Sequence, residues 1–77
     1  MTVRHGGHTI EPAPYQLADN LRWAVSAYIL VDIDNRTTST QFTASLQCHT
    51  REEAMRHSIE YGRQLIDGKV PGVPTMT

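Results

Sequence analysis

Three small groups of side chains in this sequence have types and spacings that chemistry could use. His5 and His8 bracket two glycines, an H-x-x-H spacing in which both imidazoles could reach one metal ion. Cys48 stands directly before His49, a thiol beside a base that would activate it. Asp32 and Asp34 are two residues apart, as a paired general acid and base would require. Each group also has a plainer reading. The two histidines lie near one end of the chain with no third ligand close in sequence. Neighbours on an extended chain point to opposite faces, so Cys48 and His49 do not readily meet. A buried small hydrophobe is the expected role of Cys48, and His49 is expected to pack or to sit in water. Two aspartates at a strand end describe a solvated turn, and Glu11 and Asp19 stand alone. With no glycine-rich phosphate loop, nucleophile elbow or helical H-E-x-x-H run, no catalytic residue, metal, cofactor or small-molecule substrate is expected.

The elements that would position any such group follow from size and pattern. A chain of 77 residues makes one small domain, whose core supplies only about 3–5 kcal/mol of net stability. A single cysteine allows no internal disulfide framework, so apolar burial has to hold the fold. The opening MTVRHGGHTI lacks the apolar stretch of a secretory signal, and no run is long enough to cross a membrane, so a cytoplasmic location is expected. Seven basic and eight acidic side chains leave a net charge of −1, which disfavours nucleic acid as a partner.

Residues 1–7 read as a polar, flexible lead-in, residues 8–68 as one α+β domain, and residues 69–77, with two prolines and a glycine, as a flexible tail. The first extended segment, 8–17, contains Pro12 and Pro14 and belongs at a sheet edge or is bulged. The second, 21–33, carries an unbroken apolar row at Trp23, Val25, Ala27, Ile29, Val31 and Ile33, which assigns odd positions to the core. Asp34, Asn35 and Arg36 supply turn chemistry. The third segment, 37–47, alternates Phe42, Ala44 and Leu46 inward with Gln41, Thr43, Ser45 and Gln47 outward.

A helix follows, with both ends marked. Thr50 and Glu53 fit a capping box, and Gly68 stands where a left-handed residue closes a helix. Ala54, Met55, Ser58, Ile59, Gly62, Leu65 and Ile66 recur at three- and four-residue steps and draw one apolar stripe. Gly62 on that stripe, costing about 1 kcal/mol against alanine, implies a close approach to the sheet. These elements predict a three-stranded antiparallel sheet with one C-terminal helix on one face, β-β-β-α.

A sheet covered on one side leaves the other bare. Arg22, Ala24, Tyr28 and Leu30 fall on that outer row and form the candidate interaction surface. A homodimer, or another protein, is the expected partner. The alternative is a nucleic-acid-associated transcriptional regulator, since Tyr28 with Arg22 could stack a base.

The run TREEAMRHSIEYGRQLIDG, preceded by the alternating strand and by HTIEPAP, resembles very small bacterial domains of unknown function built as strands followed by one helix. Its layout is similar to HlyU-like domains, and the likeness spans roughly residues 8–68. Thr50, Arg51, Glu53, Ala54, Ile66 and Asp67 carry it at residue level. The resemblance implies a role in regulation.

Overall fold

A computed structural model describes residues 2–70. The elements are β1 (Val3–His5), β2 (His8–Pro12), β3 (Tyr15–Gln16), β4 (Trp23–Ile33), β5 (Arg36–Cys48) and α1 (Arg51–Ile66). The class is α+β, with an antiparallel sheet and one C-terminal helix as expected. The sheet has five strands rather than three.

The two additional strands have distinct causes. Residues 1–7, expected to be a flexible lead-in, contain β1, which pairs with β2 through the register Val3↔Ile10, Arg4↔Thr9 and His5↔His8. Gly6 and Gly7 turn that hairpin with φ of 56° and 79°, the pair of left-handed conformations that a two-residue type I′ loop requires. The segment expected as one strand, 8–17, is divided into β2 and β3 at Ala13 and Pro14. Both pieces pair with β4 in one continuous register, from Thr9↔Leu30 to Gln16↔Trp23.

The prolines sit where they do no harm to that ladder. Ala13 and Leu17 donate their amides to the Ser26 and Arg22 carbonyls, so odd-numbered residues here face β4. By alternation Pro12 and Pro14 direct their nitrogens to the opposite edge, beyond the reach of β1. That edge of the sheet is therefore blunted by two residues that cannot donate.

On the other side of β4, the β4–β5 hairpin turns at Asp34 and Asn35, whose φ values of 51° and 64° form a second two-residue loop between Ile33 and Arg36. The ladder slips near its base. Ala24 pairs with Gln47 and Ser26 with Thr43, so Val25 alone opposes Ala44, Ser45 and Leu46, and β5 bulges there.

Helix α1 lies across β4 and β2, on the face that carries the odd-numbered residues of β4 and Ile10 of β2. Ile10, Ala27, Ile29, Leu65 and Ile66 form one buried cluster and Val25, Cys48 and Ala54 another, with Tyr61 packed against both. Cys48 thus fills the apolar role expected of it, as a free thiol within the second cluster. The Thr50 hydroxyl accepts from the Glu53 amide at 3.2 Å, the threonine half of the capping box. At the far end Gly68, φ 74°, donates to the Leu65 carbonyl and Lys69 to that of Gln64, a Schellman closure. The tail residues 71–77 fall outside the described residues.

Leu21 closes the β3–β4 loop with φ 60°, a conformation that costs a side chain with a Cβ about 1–2 kcal/mol. Its amide bonds to the Leu17 carbonyl, its own carbonyl accepts from Gln16 Nε2, and it is 66% exposed. Leu21→Gly is expected to raise stability by up to about 1 kcal/mol, because little burial is lost and the strain is released. A lower urea midpoint for that variant would contradict this account of the loop.

Candidate functional site

The groups with chemical potential are held apart. His5 and His8 are cross-strand neighbours, but His5 Nε2 donates to Asp67 Oδ1 at 2.9 Å while His8 Nδ1 donates to the Gly6 carbonyl at 3.0 Å. The His5 contact ties the first hairpin to the end of α1, where Gly6 also lies against Ile66. Among the described residues no group of three or more His, Cys, Asp or Glu side chains could hold a metal ion. Cys48 is buried and His49 exposed, on opposite sides of the chain. Asp32 accepts a hydrogen bond from the Thr37 hydroxyl across the hairpin, and Asp34 belongs to the turn; both are exposed.

Among the described residues, grooves on two sides of α1 have defined linings. One, of about 550 Å³, is lined by Val3, Ile59, Arg56, Arg63, His57 and Glu60, with Arg63 paired to Glu60 at 3.6 Å. The other, of about 240 Å³, runs between α1 and β5 and includes Ala44, Leu46, Tyr61 and His57. Neither places a nucleophile beside a base.

The outer face of the sheet is the remaining candidate. Tyr28 lies between Glu11 and Gln41, and Leu30 between Thr9 and Ser39; both are partly exposed, and among the described residues no element packs over them. Arg22 is exposed on the same row. Ala24 departs from expectation. It lies on that face but is only 4% exposed, flanked by its cross-strand neighbours Tyr15 and Gln47, so it offers little surface. Ser26, next on the row, is closed over altogether: its hydroxyl donates to the Phe42 carbonyl and accepts from Gln41 Nε2 and Thr43 Oγ1. Tyr15, beside Ala24 on this face, is 44% exposed. Its odd position, in a segment that keeps one register against β4 with buried Ile10 at an even position, puts it on the outer face.

Leu46, expected inward with Phe42 and Ala44, is 48% exposed. The helix is centred on β4 and β2 and leaves the far side of β5 uncovered, and the bulge carries Leu46 away from the cluster. Compared with known proteins, the chain matches no family model and no curated protein. No helix among the described residues is long and apolar enough to cross a membrane.

Proposed function

We propose that this protein is a non-catalytic association module that works through the side of its sheet left bare by α1. The observation that carries the reading is the pairing of two open features on one side of β4. Tyr28 and Leu30 present apolar surface on a face no described element covers, and among the described residues β5 bonds to β4 alone, with its other edge open. Such surface is retained at a cost in solubility unless it meets a partner. Its scale also suits a small fold, since a core worth about 3–5 kcal/mol gains from any association that binds the folded form. The net charge of −1 weighs against nucleic acid as that partner. The likeness to HlyU-like domains adds regulation as the setting in which such association would act.

Solution mass against concentration tests the reading directly. The expected result is a mass that rises above the 8.7 kDa of one chain as concentration increases. A mass fixed at that value throughout would remove it.

A further inference from the structure

We infer that the partner is a second copy of this chain, joined antiparallel along the free edge of β5 about a two-fold axis near Thr40. This inference rests on the association reading above and gives it a seam.

The two edges of the sheet are treated differently. One ends in β1, three residues long and carrying Arg4, and continues past Pro12 and Pro14. The other is β5, 13 residues long, about 43 Å at ~3.3 Å per residue. From Thr37 to Cys48 it contains no charge, no proline and no glycine. Long edges of this kind invite pairing unless something blocks it, and here only the bulge after Thr43 interrupts the strand, leaving Arg36 to Thr43 regular.

The edge is also self-complementary. Ser26 faces β2, so by alternation Ala27, Ile29 and Val31 face β5, where they meet Phe42, Thr40 and Thr38. The bond from the Thr38 hydroxyl to the Val31 carbonyl agrees with that direction. Thr37, Ser39, Gln41 and Thr43 therefore turn their amides and carbonyls to the open edge. An isologous pair needs matching groups at equal distances from its axis. The regular part of β5 ends at the bulge after Thr43, and centring on Thr40 sets Ser39 against Gln41 and Thr37 against Thr43 of the second copy, each pair facing with free donors and acceptors.

Two exposed apolar side chains on the helix side flank the seam. Ile33, 57% exposed, stands on the part of the hairpin that extends beyond α1, and Leu46, 48% exposed, rims the groove between α1 and β5. Pairing about Thr40 puts Arg36 of the second copy opposite Ala44. Since Ile33 is the cross-strand partner of Arg36, the second copy's Ile33 joins that row on the far side of its Arg36, two strands from Ala44.

The experiment combines sedimentation with site-resolved amide exchange on the full chain. The wild type is expected to form dimers, with the Ser39 and Gln41 amides protected at high concentration and exchanging freely on dilution. The Thr38 and Thr40 amides, bonded within the chain, should stay protected at both. Ser39→Pro removes an edge donor without touching the β4 ladder and should weaken the dimer about tenfold or more. The double variant Ser39→Lys, Gln41→Lys, which sets like charges opposite each other at the seam, should do the same and guards against misfolding of the first. Tyr28→Asp, one strand removed from the seam, should leave the dimer in place. A dimer whose Ser39 and Gln41 amides exchange freely, or one broken by Tyr28→Asp and not by the edge variants, overturns the seam while leaving association through the face standing. A wild type that is monomeric throughout overturns both.

Discussion

Gly62→Val is expected to leave the chain largely unfolded, and Gly62→Ala to lower its stability although alanine is the better helix former. A Cβ at Gly62 would lie 2.6 Å from Ile10 Cγ2 and 3.1 Å from its Cγ1 and Cδ1. Ile10 cannot move aside easily, since it is fully buried between α1 and β4. Overpacking of this kind costs about 1–3 kcal/mol for small additions, against a gain of about 1 kcal/mol from helix propensity. Alanine should therefore cost a net of up to about 2 kcal/mol. Valine adds two further methyl groups and a β-branched side chain in the same space, and its cost approaches the whole ~3–5 kcal/mol of a core this size. The decisive measurement is a cycle with Ile10→Ala, run in an osmolyte such as sucrose because that change alone costs about 2–5 kcal/mol. With the isoleucine branches gone, Gly62→Ala should become neutral or stabilising. Equal losses in both backgrounds would show that the clash is not with Ile10.

The helix was the most legible part of the chain because its signals are local. Thr50, Gly68 and the stripe from Ala54 to Ile66 each act within four residues along the chain, and the close approach implied by a glycine at position 62 is met by Ile10. The odd-numbered row of β4 was legible for the same reason from Trp23 to Val31, whereas Ile33, read as core, is 57% exposed at the hairpin end. What escaped was either short or dependent on neighbours. Gly6 and Gly7 between His5 and His8 are a two-residue hairpin signal, but three-residue β1 has too few positions to display alternation. Ala24 and Ser26 alternate outward as expected, yet their burial is decided by Tyr15, Gln41, Thr43 and Gln47 on other strands, which periodicity along β4 cannot reveal. Leu46 reads as inward until a bulge and an off-centre helix expose it. For the candidate surface, this means that Tyr28, Leu30 and Arg22 keep their place while Ala24 leaves it.

Ser58 joins the layers through a bond that the sequence pattern alone did not announce, and its removal is the second large effect. On the apolar stripe of α1 it reads as a small spacer. Its hydroxyl instead accepts the Ser26 amide at 3.2 Å, and both residues are fully buried. The Ser26 carbonyl is bonded to Ala13, between the two prolines, so its amide leaves the ladder there and turns to the helix. Ser58→Ala changes volume little, which keeps the cavity cost small, but it strands a buried N–H. The expected loss is about 1–3 kcal/mol, a large share of the total, with faster exchange at the Ser26 amide than at the neighbouring amides of β4. Ser58→Thr retains an acceptor and should keep that amide protected even if its extra methyl costs stability. An alanine variant as stable as the parent, with Ser26 still slow to exchange, would mean that the Ser26 amide finds another acceptor, such as the Ala13 carbonyl, without help from the helix.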